Sequence, residues 1–218
     1  MQKRPLDPAE AVFFADIQKL VHRRETPLSK VISKICAVDA AYRDSRVVAS
    51  ASVFDNGRLV EDSHYSGNCS FPYIPGLFYM REGPFVVEAV RRLKVRPQLV
   101  CFDAHGAAHP RSAGLATICG MILGIPSIGI AKSPLIGTVV SHENAGRRED
   151  LIVYNDKTVG LVVVTNSAKR FWSPGYSVNL SELRRLIRDY ASTCLLAMAE
   201  SHRAARTLIP VGRKEVWR

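Results

Sequence analysis

Two short apolar runs constrain this chain more than any other feature. Ile35-Cys36-Ala37-Val38 and Leu99-Val100-Cys101-Phe102 are continuous, and each stops on an aspartate, Asp39 and Asp103. Apolar runs of this length without polar alternation are the pattern of strands buried on both faces. The first run opens a meander. Arg43-Asp44-Ser45 reads as a tight turn into a second strand, Val47 to Phe54, and Asp55-Asn56-Gly57 is a hairpin turn into a third, more polar strand, Arg58 to Tyr65.

The second run sits in a strand-helix-strand pattern. After Gly83-Pro84, the residues Phe85, Val86, Ala89, Val90 and Leu93 form a helical face that Pro97 ends. A helix from Ser112 to Leu123, with Leu115, Ile118, Cys119 and Ile122 inward, leads through Gly124 to a strand at Ile125 to Ile130. Leu151–Tyr154 and Val159–Thr165 read as a hairpin across Asn155-Asp156-Lys157. Asn179 and Glu182 have capping-box spacing and open a long helix with Leu183, Leu186, Ile187, Tyr190, Cys194, Leu195 and Met198 on one face. At the other end, Asp7-Pro8-Ala9-Glu10 starts a helix expected to lay Val12, Phe13, Ile17, Leu20 and Val21 on the core, with His22-Arg23-Arg24 closing it. The pattern predicts one α/β domain over residues 1–218, a mixed sheet with helices on both faces, and a basic tail over about 201–218.

With 218 residues the chain can bury a sizeable core. Thirty Lys+Arg against twenty Asp+Glu leave a net charge of +10, which points to a polyanionic partner such as nucleic acid. The five cysteines are odd in number and have no CxxC spacing, so a reducing, cytoplasmic setting is expected and a zinc site is not. No apolar run approaches the ~18 residues of a membrane span, and no membrane association is expected.

Three carboxylates stand out by placement. Asp39 and Asp103 follow buried strands, and Glu82 opens a helix. If the two strands are adjacent and parallel, their carboxyl ends form the usual ligand edge of an open sheet. Three oxygen donors without cysteine suit a hard cation, Mg²⁺ or Mn²⁺. Strand-end aspartates also cap turns, and spacing leaves both readings open. His105 and His109, four apart in a loop, lack a third nitrogen or sulfur partner for zinc, and a positioning or acid/base role suits His109 better. Lys132 follows a strand and can neutralise phosphate. Between these features runs Phe71-Pro72-Tyr73-Ile74-Pro75-Gly76-Leu77-Phe78-Tyr79, an aromatic loop stiffened by two prolines. It either fills the core or touches a ligand.

Taken together, these stretches resemble the endonuclease V family of deoxyinosine-directed repair nucleases. The resemblance rests on Ala37-Val38-Asp39-Ala40-Ala41-Tyr42, on Pro72-Tyr73-Ile74-Pro75-Gly76-Leu77 running to Arg81-Glu82, on Phe102-Asp103-Ala104-His105-Gly106 with His109-Pro110-Arg111, and on Gly124 to Ser133. It implies an RNase H-like fold and Mg²⁺-dependent hydrolysis, with Mn²⁺ as a substitute, of the second phosphodiester on the 3′ side of a deaminated adenine. It further implies that Asp39, Glu82 and Asp103 bind the metal, that His109 serves the catalytic centre, and that Lys132 meets backbone phosphate. Tyr73, Ile74, Pro75 and Gly76 match the wedge that enters the duplex. A monomer acting on DNA with deaminated bases is expected. An inosine-specific ribonuclease and a non-cleaving lesion-binding module stay as alternatives. One departure concerns Tyr176 in Ser173-Pro174-Gly175-Tyr176, where the family has a histidine near the metal. On that reading activity survives with an altered metal preference or pH profile.

Overall fold

The computed structural model describes residues 7–19, 21, 28–144, 147–165 and 168–209. Its centre is a continuous sheet. β1 (Lys34–Arg43), β2 (Arg46–Asp55) and β3 (Arg58–Asn68) form the expected antiparallel meander. β4 (Leu99–Phe102) pairs parallel with β1, and β5 (Ser127–Ala131) pairs parallel with β4. β6 (Thr138–Asn144), β7 (Arg147–Tyr154), β8 (Lys157–Val164) and β9 (Lys169–Pro174) complete the order β3-β2-β1-β4-β5-β9-β8-β7-β6. The fold is RNase H-like. β6 and β9 were not legible in the sequence. Both mix polar with apolar residues, and β6 lies exposed at the sheet edge, so neither carries a continuous apolar run.

The period of two along each strand assigns its residues to two cores. Cys36, Val38, Val100 and Phe102 pack with α2 (Phe78–Arg91) and α3 (Leu115–Leu123). Ile35, Ala37, Leu99 and Cys101 pack on the other face with α4 (Leu180–Leu208). All five cysteines are free and buried, as small hydrophobes. Among the described residues no helix is long and apolar enough to cross a membrane.

Several boundaries differ from the sequence pattern for identifiable reasons. α2 starts at Phe78, not after Gly83, and holds Pro84 inside, where the ring leaves the Met80 carbonyl without its helical donor. α3 starts at Leu115, because Ser112 is left-handed at φ 53 and Gly114 is extended; Ile122, expected inward, is exposed. α4 begins at the Asn179–Glu182 capping box but continues to Leu208, with Ser201 and Ala205 fully buried. The first part of the expected basic tail is therefore packed helix, and residues 210–218 lie outside the described residues.

α1 (Pro8–Lys19) is capped as its sequence indicates. Asp7 Oδ1 accepts from Ala9 N–H at 2.7 Å, and Glu10 accepts from Asp7 N–H at 3.0 Å. Its orientation is not the expected one. Val12 and Phe13 are each 61% exposed and Ile17 is also exposed, while Ala11, Phe14 and Ala15 pack on the core and Gln18 is buried. Leu20 and the closing His22-Arg23-Arg24 lie outside the described residues.

The loop after β4 folds back over the sheet by backbone contact. Ala107 N–H donates to the Pro174 carbonyl at 2.6 Å, and Gly106 N–H donates to Ser173 Oγ at 2.9 Å. A Cβ on Gly106 would stand 2.1 Å from the Pro174 carbonyl oxygen, and neither backbone can yield cheaply. Gly106→Ala is expected to destabilise the protein by about 2–3 kcal/mol, seen as a lower urea midpoint. An unchanged midpoint would show that this loop is not held against β9.

Candidate active site

The parallel register pairs Val38 with Phe102, so Asp39 and Asp103 are the next residues on neighbouring strands. Adjacent strands lie roughly 4.8 Å apart. Asp39 continues the odd-numbered row of Ile35 and Ala37 toward the face covered by α4, and Asp103 is the first residue past β4. Glu82 comes from α2 and is 8% exposed. Its carboxyl is pushed up to about 8, first by burial and then by the charge of Asp39, with Asp103 adding to it. The Tyr42 phenol beside it draws the other way. Asp39 is raised too, by burial first and by Asp103, against the lowering effect of a hydrogen bond from His202. The three acids therefore feel one another, as the sequence placement anticipated.

Two side chains answer this negative charge. His202 Nδ1, on α4, donates to Asp39 Oδ2 at 2.5 Å, and Lys132 Nζ meets Asp103 Oδ2 at 2.5 Å. His202 was missed because it falls in the stretch read as a solvated tail. The signal that locates it is the odd-row parity of Asp39, which directs the carboxylate to the face of the long helix.

Arg81 braces the other side. Its guanidinium lies over the Tyr42 ring at 4.6 Å and donates to the Phe71 carbonyl at 2.7 Å. One residue thus ties the start of the aromatic loop to the strand that carries Asp39. The far end of that loop is a turn, with Leu77 N–H donating to the Ile74 carbonyl at 2.9 Å and Gly76 at φ 80. Pro75-Gly76 are the central residues a type II turn requires. Tyr73, before the turn, is 64% exposed, and its ring meets Phe78 edge-on at 6.0 Å.

Behind Tyr73 lies a cavity of about 250 Å³. Its wall is formed by Gln18, Tyr73, Gly76, Phe78 and Tyr79 together with Asp103, His105, His109, Gly114 and Lys132 to Leu135. Its size and partly apolar wall suit a flat group of nucleobase dimensions better than a drug-sized ligand, which takes about 300–1,000 Å³. Asp103 belongs both to the acidic cluster and to this wall.

His109 is placed as a brace. It is buried, its Nδ1 accepts from Arg111 N–H at 3.2 Å, and its Nε2 donates to the Gly76 carbonyl at 3.1 Å. Burial first, then Arg111, pushes its pKa down to about 4, so at neutral pH the ring is neutral and both nitrogens are committed. Of the two roles expected for His109, positioning or acid/base, this geometry favours positioning. His105 lines the same cavity as His109 and is linked to the Ser133 backbone.

Tyr176 is not where the family comparison of motifs placed it. β9 runs antiparallel to β5, so the chain after Pro174 returns to the start of β5. Tyr176 N–H donates to Ser127 Oγ at 2.9 Å, and Ser127 N–H donates to the Tyr176 carbonyl at 2.9 Å. Asp103 stands about three residues further along the strands, roughly 10 Å at 3.3 Å per residue. The imidazole beside the acids is supplied by His202 instead.

The oxygen-rich donor set of Asp39, Glu82 and Asp103 has the chemistry of a hard divalent cation's site. Among the described residues, no three His, Cys, Asp or Glu side chains converge as a preformed metal cluster. The outer two acids are turned to His202 and Lys132.

Because the Glu82 pKa is raised in the folded protein, its carboxylate costs stability as pH rises from about 4.5 through about 8. In EDTA, Glu82→Gln is expected to leave Tm nearly unchanged at pH 5 and to raise it by roughly 5–10 °C at pH 9. A pH-independent difference would show that Glu82 is not strained by its neighbours. Tyr176→His is expected to leave the pH and metal dependence of activity as they are; a shifted metal preference would return Tyr176 to the acidic centre.

Comparison with known proteins agrees with this geometry. The family model of endonuclease V matches residues 15–205. Endonuclease V of Thermosipho melanesiensis is 35% identical over 190 residues, covering 85% of this chain and 83% of that protein. The crystal structure of endonuclease V from Streptomyces avermitilis superposes with a TM-score of 0.76 at 27% identity, over 93% of each chain. That of Ciona intestinalis endonuclease V, in complex with a 24mer DNA containing an inosine followed by a ribo-adenosine, shares the fold at a TM-score of 0.74 and 19% identity, over 92% of this chain and 98% of that one. With the motifs in order on the sheet edge and the match spanning most of its length, this chain belongs to the endonuclease V family of nucleases.

Proposed function

We propose that the protein is a Mg²⁺-dependent endonuclease that recognises deoxyinosine in DNA and hydrolyses the second phosphodiester on its 3′ side. The observation that carries this reading is the shared wall. An exposed aromatic on a stiff loop borders a base-sized cavity whose wall also includes Asp103 of the acidic cluster. A base must leave the stack before its edge can be inspected, at a cost of a few kcal/mol. Tyr73 fills the gap in the stack, and the cavity receives the displaced base. The strand beyond that base then passes the acids. The inosine-bearing DNA held by the Ciona protein supports this choice of ligand.

Asp39, Glu82 and Asp103 would hold the metal, which when bound supplies the Lewis acidity and the activated water that phosphodiester hydrolysis needs. The chain's own residues do the rest. His202 fixes the Asp39 carboxylate through its Nδ1–H. Lys132 is exposed and salt-bridged to Asp103, so it can exchange that carboxylate for a substrate phosphate. Arg81 and His109 hold the two ends of the wedge loop at fixed distance from the acids. The net charge of +10 favours the encounter with a polyanion.

The test uses strands carrying one deoxyinosine, one riboinosine or neither, in Mg²⁺ or EDTA, with the cut mapped at nucleotide resolution. A Mg²⁺-dependent cut at the second bond 3′ to deoxyinosine is expected; a cut confined to riboinosine would make the protein a ribonuclease, and no cut in any strand would sink the enzyme reading. Asp39→Ala is expected to reduce cutting to background while binding persists. His202→Ala, which removes the orienting bond on Asp39, should lower the rate about 10–100-fold. Tyr73→Ala should weaken binding of the damaged duplex about tenfold, as loss of one base–aromatic stack worth about 1–3 kcal/mol implies.

A further inference from the structure

The rotation of α1 is the unexplained feature of the fold. A helix with Val12, Phe13 and Ile17 available leaves these outside and buries an amide instead. Gln18 is 1% exposed. A buried amide is tolerated only when its hydrogen bonds are made, and both ends of this one are. Gln18 Nε2 donates to the Ala113 carbonyl at 2.7 Å, and its Oε1 accepts from Arg111 Nε at 2.6 Å. Arg111 carries the contact onward, its second terminal nitrogen donating to the Gly76 carbonyl at 2.6 Å. That carbonyl is the one His109 also holds. The glycine is required here twice over, since its φ is 80 and a Cβ would stand 2.8 Å from the Arg111 guanidinium.

We propose that Gln18 and Arg111 are positioning residues that lock the Ile74–Leu77 turn and thereby hold Tyr73 in the pose that opens a duplex. The inference rests on the reading of Tyr73 as a wedge. A wedge entering a base stack must resist the recoil of the stack, and Tyr73 is attached to the body of the protein through this turn. Hydrophobic packing alone would hold α1 in place as firmly, and would not fix the direction of one carbonyl. A planar guanidinium bonded at both ends does fix it. α1 is then more than a lid on the core: it is the anchor of the recognition loop. The demand for a clamp arises only on double-stranded substrate, because in a single strand there is no stack to force apart.

The full-length protein is tested on the same deoxyinosine sequence as duplex and as single strand, with 2-aminopurine beside the lesion to report unstacking. For Gln18→Leu the KM for duplex is expected to rise about tenfold more than the KM for single strand, the loss of two buried hydrogen bonds, with the 2-aminopurine signal reduced in parallel. Gln18→Glu keeps the acceptor for Arg111 and should restore most of the duplex activity. Arg111→Lys retains charge but cannot bridge Gln18 and Gly76 together; it should repeat the Gln18→Leu pattern, and it decides the matter if Gln18→Leu does not fold. Equal changes on duplex and single strand, or an unaltered 2-aminopurine signal, would overturn the clamp while leaving the wedge in place. A wild-type protein that cuts deoxyinosine duplex without any 2-aminopurine response would remove the wedge itself, and the clamp with it.

Discussion

The parallel pairing of β1 with β4 is the constraint on which the rest depends. It sets two aspartates roughly one strand spacing apart at the sheet edge. Burial first, and then the neighbouring carboxylates, hold Asp39 and Glu82 above their ordinary range. Nothing in the packing of a stable core calls for this arrangement. The surrounding structure is organised to sustain it: a histidine from α4 on one aspartate, a lysine after β5 on the other, and a phenol from β1 beside the glutamate.

The recognition loop is tied to that edge by a second set of interactions. Arg81 and Glu82 are neighbours in α2. One braces the loop's beginning through Phe71 and Tyr42, and the other enters the acidic cluster. Asp103 joins the cluster to the cavity wall. On the proposed function, damage recognition and hydrolysis share a frame of one helix and two strands, which would keep a displaced base and the acids at a fixed separation. The type II turn at Pro75-Gly76 and its clamp from Arg111 and His109 extend that frame to the tip of the loop.

Where the sequence pattern and the structure part company, long-range geometry is the reason in each case. Tyr176 follows a motif whose neighbourhood depends on the direction of β9, and an antiparallel β9 carries it to the beginning of β5. His202 stands far from the acids along the chain and looks like part of a basic tail until α4 is seen to continue past Ser201. α1 has a plausible apolar stripe at helical spacing, yet the bonds available to Gln18 from Ala113 and Arg111 select another face. The sequence leaves His109 open between positioning and acid/base work. Only its two occupied nitrogens show the role it plays here.

The sequence by itself determined the buried strands, the meander, the capping boxes and the stiff loop, because each is written in residues adjacent along the chain: period, turn chemistry and caps act over a few bonds. It also determined the family, since several motifs in one order are improbable by chance. What only the tertiary structure decided is which side chains meet across the sheet. The contact of His202 with Asp39, the orientation of α1, the place of Tyr176 and the cavity between Tyr73 and Asp103 join residues that are distant in sequence. Such contacts are chosen by strand order and direction and by the cost of leaving a buried polar group unpaired, neither of which is expressed in a local pattern.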